Sequence, residues 1–276
     1  MRPLSISTAL FDGYSLDLAI DEIAACGATA VEPAFIKGYV EFDESAFAGS
    51  EARRLNSLAA DAGLSVLALS AHLDLAAPGA VEMLRRRIRF AATLGARQII
   101  TNAGQAANRD RIVSVIDAVL PDCETAGVSL ALENPGHGGG DLIGDGGEGA
   151  ALVDEIASPH VRLNYDVGNI FTYSHERLRP ERDIEKAIGR VSHVHLKDIV
   201  TETDGWRFAA IGDGVIDFRT LFRILPRDMP MAIELPLRLD RPNRADPIRR
   251  PARVDLEKIR MAIRSSLNFV AALSER

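Results

Sequence analysis

Cysteine is scarce in this sequence, and the two residues present, Cys26 and Cys123, both lie in apolar patterns typical of helices. Cysteines in such patterns are usually buried as small apolar side chains, so nothing indicates a disulfide-stabilised protein of an oxidising compartment. No apolar run is long enough to cross a bilayer, and the first residues lack the apolar core of a signal peptide. We therefore expect a cytoplasmic protein with no membrane partner.

Positively charged residues are also fewer than negatively charged ones, with 32 Lys and Arg against 39 Asp and Glu, which gives a net charge of −7. This balance argues against a nucleic acid as the main partner. The content of 47% hydrophobic and 26% charged residues is that of a globular protein with a substantial core. A length of 276 residues is normal for one α/β barrel.

Short apolar runs alternate with longer helical patterns along the whole chain. The predicted strands cover residues 4–8, 30–32, 64–72, 97–102, 128–133, 161–166, 191–197 and 229–234. The predicted helices cover residues 15–26, 47–62, 78–94, 105–126, 148–157, 180–188, 218–225 and 254–272. Glycines at 27, 63, 95, 127 and 189 follow helices, where a left-handed residue is expected. The alternation predicts a single (β/α)8 TIM barrel over residues 1–276, and is less typical of a doubly wound sheet.

The seventh predicted strand, Val191-Ser-His-Val-His-Leu-Lys-Asp198, carries unusual polarity. Its alternation places His193, His195 and Lys197 on one face. Two imidazoles and an ammonium on one face of an apolar strand need polar partners. We therefore expect this strand to face other polar residues at the rim of the barrel.

Three other predicted strands end in carboxylates, Glu133, Asp166 and Glu234. The carboxyl ends of barrel strands meet at one rim, so these residues and His195 should lie close together. Close carboxylates repel unless a cation or protons intervene, and as ligands of an ion this oxygen-rich set suits Mn²⁺ best, with Mg²⁺, Co²⁺ or Zn²⁺ as alternatives. The alternative is that each carboxylate caps a helix or pairs with an arginine.

The segments around these residues resemble the xylose isomerase-like superfamily of sugar phosphate isomerases and epimerases. The carrying segments are Leu-Ala-Leu-Glu133-Asn-Pro, Asn-Tyr-Asp166-Val-Gly-Asn169, His193-Val-His195-Leu-Lys-Asp198, Ile211-Gly-Asp-Gly-Val-Ile-Asp-Phe218 and Ala-Ile-Glu234. The resemblance spans essentially the whole chain. It implies one divalent ion held by Glu133, Asp166, His195 and Glu234.

The same resemblance implies proton abstraction beside a carbonyl of a sugar, ketose or cyclitol, through an enediolate. Glu133 and Glu234 would be the catalytic acid and base on opposite faces of the substrate carbon. Isomerisation or epimerisation is the first expectation, and dehydration of a keto-sugar, inosose or dehydroshikimate-like substrate is the alternative. An endonuclease IV-like repair enzyme and a non-catalytic binding barrel are more remote alternatives. Asn169 stands where ketose 3-epimerases commonly carry a histidine, which weakens a plain 3-epimerase assignment.

Further residues near the predicted rim are candidates for binding a polyol or keto-sugar substrate. They are Glu32, His72, Asn102, Asn169 and Lys197. The glycine-rich loop 136–148, with His137, is predicted to be a flap beside Glu133. The Arg- and Pro-rich segment 238–253 precedes the last helix and is either a lid, a contact in a homo-oligomer, or a solvated excursion.

Overall fold

The computed structural model describes residues 2–134 and 139–274. Its helices follow the order α1 Leu16–Ala25, α2 Gly49–Asp61, α3 Ala80–Leu94, α4 Arg109–Ala126, α5 Gly146–Ile156, α6 Val167–Tyr173, α7 Pro180–Asp183, α8 Phe218–Ile224 and α9 Leu256–Ser274. Its strands are β1 Leu4–Ser7, β2 Ala30–Glu32, β3 Ala34–Phe35, β4 Ser65–Val66, β5 Leu69–Ala71, β6 Gln98–Asn102, β7 Ser129–Glu133, β8 Val161–Asp166, β9 Val191–Leu196, β10 Asp198–Glu202, β11 Gly205–Ala209, β12 Met231–Ile233, β13 Leu239–Pro242 and β14 Ile248–Arg249.

Ten of these strands form one parallel sheet in the order β3-β5-β6-β7-β8-β9-β12-β1-β2-β4. Pro33 has no N–H to give to a ladder, so it divides the second barrel strand into β2 and β3. The third barrel strand is likewise divided into β4 and β5. Because β2 pairs with β4 and β3 pairs with β5, the ends of the strand order meet and the sheet closes. The fold is the predicted (β/α)8 TIM barrel.

Side-chain caps and left-handed residues set the ends of several helices. Ser15 accepts the N–H of Leu18 at the start of α1, and Asp145 accepts the N–H of Glu148 at the start of α5. Gly27, Gly63, Gly95 and Gly127 have the predicted positive φ. The prediction for Gly189 is wrong, since it is absent from the residues with positive φ, and the chain reverses there through a turn after a short 3₁₀ segment, residues 184–186.

A second, antiparallel sheet was not predicted and is formed by β10, β11, β13 and β14. β10 leaves the carboxyl end of β9, and β13 and β14 come after β12, so this sheet lies at the carboxyl-terminal rim of the barrel. Trp206 of β11 pairs with Arg241 of β13, joining the two stretches of chain. We call these four strands the rim sheet.

The Arg- and Pro-rich segment 238–253 supplies half of the rim sheet and is held to the barrel. Arg238 and Arg249 pair with the buried Asp12 at 3.2 and 2.6 Å. Arg241 is buried, and its Nη1 donates to Thr172 Oγ1 at 2.6 Å. The segment is therefore an ordered part of the rim, and these three arginines are engaged by the protein itself.

Asp198 organises the loop that follows the rim sheet hairpin. Its carboxylate accepts the N–H groups of Ile199, Gly212, Gly214 and Ile216 at 2.9–3.3 Å. A Cβ on Gly214 would overlap this carboxylate, so the loop can close on Asp198 only with glycine there. The Ile211-Gly-Asp-Gly-Val-Ile motif therefore holds Asp198, the residue next to Lys197, in place.

Among residues 2–134 and 139–274, no helix combines the length and the apolar character that a membrane crossing requires.

Candidate metal centre and active site

A cavity of about 470 Å³ opens at the carboxyl-terminal rim of the barrel. Six of the residues predicted from the sequence line it, namely His72, Asn102, Glu133, Asn169, Lys197 and Glu234. Residues from the loop after β3 and from the rim sheet complete its walls, including Tyr39 and Arg249. The predicted polar strand ends therefore converge on one space large enough for a small polyol.

The four predicted metal ligands lie together, and two of them, Glu133 and Glu234, line this cavity. Glu133, Asp166, His195 and Glu234 each present one ligand atom, and these atoms all lie within 4.8 Å of one another. Parallel pairing sets this convergence, because Asp166 is the register partner of His195 and Ala232 pairs with His195 from the other side. All four side chains are buried.

The two ring nitrogens of His195 face different surroundings. Nδ1 faces the acidic cluster, at 3.4 Å from Glu234, 3.6 Å from Glu133 and 3.9 Å from Asp166. Nε2 points away from the cavity and lies 3.0 Å from Glu32 Oε1. The nitrogen that faces the carboxylates is therefore the one placed to bind an ion.

Lys197 supplies a positive charge inside the cluster. Its Nζ lies 2.6 Å from Asp166 Oδ2 and 2.7 Å from Glu234 Oε2. A Cβ on Gly168 would lie 2.8 Å from Cγ of Lys197, so glycine in the Asp-Val-Gly-Asn segment makes room for the lysine stem. The ammonium lines the cavity, as a substrate-binding role requires, and also neutralises two carboxylates.

His72 and Asn169 flank Glu133. His72 Nε2 lies 3.0 Å from Glu133 Oε2, and Asn169 donates its Nδ2–H to Glu133 Oε1 at 3.3 Å. The backbone N–H of Asn169 also donates to Asp166 Oδ1 at 2.8 Å, so the Asp166 side chain caps the start of α6. Asn102, the register partner of Glu133, contributes to the same wall. These three residues remain candidates for contacts with substrate.

Glu32 is the predicted substrate-binding residue that the fold places elsewhere. It is completely buried behind His195 and does not line the cavity. A side chain enclosed behind His195 has no access to a substrate in the cavity, so the structure does not support this prediction. The neighbours of Glu32 are the two histidines of β9.

The glycine-rich loop after Glu133 falls partly outside the described residues. Residues 135–138, which include His137, are among those not described. From Gly139 onward the loop is hydrogen-bonded to the segment after β6, through Ala106 N–H to Gly140 and Leu142 N–H to Gly104. The prediction of a flap over residues 136–148 stays a prediction.

Burial and neighbouring charges shift the pKa values of the clustered side chains in opposite directions. Burial raises the pKa of Asp166 to about 7, although the Lys197 ammonium opposes the shift. The pKa of Glu133 lies well below its ordinary value, because His72 and His195 outweigh the effect of burial. Burial lowers the pKa of His195, but Glu32, Glu234 and Glu133 overcome it and raise that pKa well above its ordinary value. The metal-free cluster therefore holds protons that an arriving cation must displace.

This pKa of Asp166 predicts how the metal-free protein responds to pH. Between 3.8, its ordinary pKa, and about 7, the folded chain binds more protons at Asp166 than the unfolded chain. The free energy of unfolding should therefore fall as pH rises through this window, by at most about 1.4 kcal/mol per pH unit from this group. Denaturant titrations of the stripped wild type and Asp166→Asn at several pH values measure the difference. Parallel pH slopes for the two proteins would contradict the assignment.

The donor set fits a hard divalent cation. Glu133 Oε2, Asp166 Oδ2 and Glu234 Oε2 are buried and accept no hydrogen bond of good geometry from the described residues. Three carboxylate oxygens and one imidazole nitrogen match the ligands preferred by Mn²⁺ and Mg²⁺ more closely than those of structural zinc. The residues present therefore suit the predicted ion.

Several residues of the site carried too weak a signal for the sequence to reveal their roles. Asn164 precedes Asp166 by two positions and so shares its face, and it hydrogen-bonds both His193 and His195. Strand alternation alone could have placed it inward. Tyr39, Tyr173 and Arg249 reach the cavity from a loop, from the end of the short helix α6 and from the two-residue strand β14, where no periodic pattern marks them.

Comparison with solved structures finds the same fold across the whole chain. A D-psicose 3-epimerase from Clostridium cellulolyticum H10, solved with D-tagatose, superimposes with a TM-score of 0.76 at 14% identity, covering 99% of both chains. The probable 3-DHS dehydratase AsbF from Bacillus anthracis gives a TM-score of 0.69 at 15% identity, covering 95% of this chain and 97% of that one. At these identities the likeness concerns the fold.

One curated relative shows a partial sequence match. An inosose dehydratase from Serratia proteamaculans (strain 568) is 32% identical over 101 residues, which is 30% of this chain and 34% of that protein. The chain therefore matches about a third of the length of this relative.

A family model covers much more of the chain. The model described as xylose isomerase-like TIM barrel matches residues 20–258, which include all four candidate metal ligands and the rim sheet. Together with the closed eight-stranded barrel and the acidic cluster at its rim, this match establishes that the chain belongs to the xylose isomerase-like TIM barrel family.

Proposed function

We propose that the protein is a divalent-metal-dependent isomerase or epimerase that acts on a sugar, ketose or cyclitol. The observation that carries the proposal is the placement of Glu133 and Glu234 on either side of His195, at the floor of a polar cavity of about 470 Å³. Structural neighbours of the chain include a D-psicose 3-epimerase and an L-ribulose 3-epimerase, which supports this choice of chemistry.

The ion would be held by Glu133, Asp166, His195 and Glu234. When bound, a divalent ion polarises a substrate carbonyl and stabilises the negative charge of an enediolate. The preference for Mn²⁺ rests on the excess of carboxylate over imidazole donors.

The carboxylates of this chain would move the proton. Glu133 ends β7 and Glu234 follows β12, so they approach a bound substrate from opposite sides of the arc formed by β7, β8, β9 and β12. One removes the proton beside the carbonyl and the other returns a proton to the opposite face. His72 next to Glu133 and Lys197 next to Glu234 hold the two carboxylates in place.

The rest of the cavity would bind the hydroxyl groups of the substrate. Asn102, Asn169 and Tyr39 offer neutral donors and acceptors around the acidic floor. Such groups discriminate among polyols through hydrogen bonds, because an unmatched buried polar group is costly. This wall fits a hydroxyl-rich molecule better than an apolar one.

Dehydration is the second candidate and rests on Lys197. An ammonium 2.7 Å from Glu234 can give a proton to a departing hydroxyl, which a β-elimination needs and an epimerisation does not. The inosose dehydratase match over 101 residues points in the same direction.

Incubation with ketoses and keto-cyclitols in D₂O, with Mn²⁺ present, separates the two reactions. Epimerisation or isomerisation gives a product of the substrate's composition that has gained one deuteron at carbon. Dehydration gives a product that lacks one molecule of water. The proposal fails if no member of the panel exchanges a carbon-bound proton while the protein holds its ion.

A further inference from the structure

Behind His195, on the side away from the cavity, lies a second buried cluster that the proposed reaction does not use. It consists of Glu32, His193 and Asn164, and all three side chains are fully enclosed. None of them lines the cavity. Burying three polar side chains in the interior of a barrel costs free energy unless they hydrogen-bond to buried partners.

Each of these residues contacts the next in a closed arrangement that includes His195. Glu32 Oε1 lies 3.0 Å from His195 Nε2, and Glu32 Oε2 lies 3.4 Å from His193 Nε2. His193 Nδ1 lies 2.8 Å from Asn164 Oδ1. Asn164 Nδ2 lies 3.1 Å from His195 Nδ1, which closes the set.

We propose that Glu32 is a positioning residue for the metal centre, which holds the proton on Nε2 of His195 so that Nδ1 is the nitrogen that binds the ion. The inference rests on the proposed metal site and extends it to a residue outside the cavity. Asn164 Oδ1 accepts from His193 Nδ1 and so fixes that ring, whereas His193 Nε2 and Glu32 Oε2 lie 3.4 Å apart with no hydrogen bond between them.

The geometry favours this role over the alternatives. Nδ1 of His195 makes the shortest contact of the ring with each of Glu133, Asp166 and Glu234, so an imidazole protonated at Nδ1 would present an N–H to the cluster and no lone pair for an ion. A carboxylate bonded to the far nitrogen of a ligating histidine fixes the ring tautomer and orientation, and its loss commonly weakens metal binding 10- to 100-fold. A role in contacting substrate is excluded by the position of Glu32 behind His195.

Glu32, His193 and His195 also have donor atoms close enough to hold an ion of their own. The short contact between Glu32 and His195 Nε2 has hydrogen-bond length, and no part of the cavity reaches these three residues. We therefore infer a hydrogen-bonded support, and a second ion becomes an outcome that the experiment can detect.

The experiment compares Glu32→Leu, which removes the acceptor, with Glu32→Gln, which keeps an oxygen in place. Calorimetric titration of the chelator-stripped proteins with Mn²⁺ measures affinity and stoichiometry. We expect Glu32→Leu to bind Mn²⁺ about 10- to 100-fold more weakly than the wild type, and Glu32→Gln to recover most of that loss. A loss of packing alone would lower the stability of Glu32→Leu without this recovery of metal affinity.

Nitrogen-15 NMR of the histidine rings gives a readout that does not depend on metal binding or activity. In the wild type and in Glu32→Gln, Nε2 of His195 should carry a slowly exchanging hydrogen-bonded proton, both stripped and loaded with Mg²⁺. In Glu32→Leu this proton should exchange rapidly.

Three results would overturn the inference. They are wild-type Mn²⁺ affinity in Glu32→Leu, a rapidly exchanging His195 Nε2 proton in the wild type, and two ions per chain of which Glu32→Leu loses one. If the wild type binds no ion, the proposed function fails, while the NMR comparison still decides whether Glu32 holds the Nε2 proton.

Discussion

Glu133→Gln should lose almost all catalytic activity while keeping its fold. The amide is nearly the same shape as the carboxylate and can still accept the N–H of Asn169 and contact His72. It cannot take up a proton from carbon, and removal of a general base commonly costs 10²- to 10⁴-fold in rate. With Mn²⁺ at saturation, we expect the catalytic efficiency on the substrate found by the D₂O panel to fall within that range.

The matched control for Glu133→Gln is Glu185→Gln, an exposed position remote from the cavity. Its activity and unfolding midpoint should equal those of the wild type. Deuterium exchange at the substrate carbon distinguishes loss of proton transfer from loss of binding. If Glu133→Gln kept more than a tenth of wild-type activity with its ion bound, Glu133 would not be a catalytic base.

Lys197→Met should strengthen metal binding and slow catalysis. Lys197 Nζ occupies the space between Asp166 and Glu234, so an ion must compete with its charge for these oxygens. A unit charge about 4 Å away is worth up to about 4 kcal/mol at the effective dielectric of a protein site, and relaxation reduces this. We expect Mn²⁺ to bind roughly 10- to 100-fold more tightly to the variant.

The same substitution should lower the rate, because Lys197 lines the cavity and its ammonium holds the Glu234 carboxylate in place. The metal-free variant should also unfold at lower temperature, since the buried carboxylates of Asp166 and Glu234 lose their main counter-charge. Lys258→Met, on the exposed face of α9, is the control and should leave both properties unchanged. Unaltered Mn²⁺ affinity in Lys197→Met would show that the ammonium does not compete with the ion.

Much of the barrel could be predicted because its signals are local. Short apolar runs mark the strands, glycines mark the ends of several helices, and Gly27, Gly63, Gly95 and Gly127 adopt the expected backbone. The four candidate ligands could be predicted for a related reason. Parallel strands bring their carboxyl ends together, so a polar residue at the end of a strand is placed by the fold class alone.

The features that escaped prediction depend on contacts between distant parts of the chain. The rim sheet pairs residues 205–207 with residues 240–242, across more than thirty residues and an entire barrel strand. Helix α6 begins directly after Asp166, and the side chain that caps it is also a candidate metal ligand, so no separate helix start marks α6 in the sequence. Gly189 shows that a local signal can also mislead, since a glycine after a helical pattern need not adopt a left-handed conformation.

The position of Lys197 also depends on tertiary structure. Strand alternation places it on the same face as His195, but not between Asp166 and Glu234. That position requires Gly168 on α6 and the loop that closes on Asp198. Neither contact can be read from a local pattern.

Calorimetric titration of the chelator-stripped protein with Mn²⁺, with Asp166→Asn alongside, tests the proposed metal centre most directly. Asparagine keeps the cap on α6 and removes one anionic ligand, so a change in affinity reports the ligand. We predict one ion per wild-type chain, at least about 10²-fold weaker binding to Asp166→Asn, and about 2.7 kcal/mol of added stability at a hundred times the Kd. Absence of binding to the wild type, or equal affinity in the two proteins, would contradict a metal centre at Glu133, Asp166, His195 and Glu234.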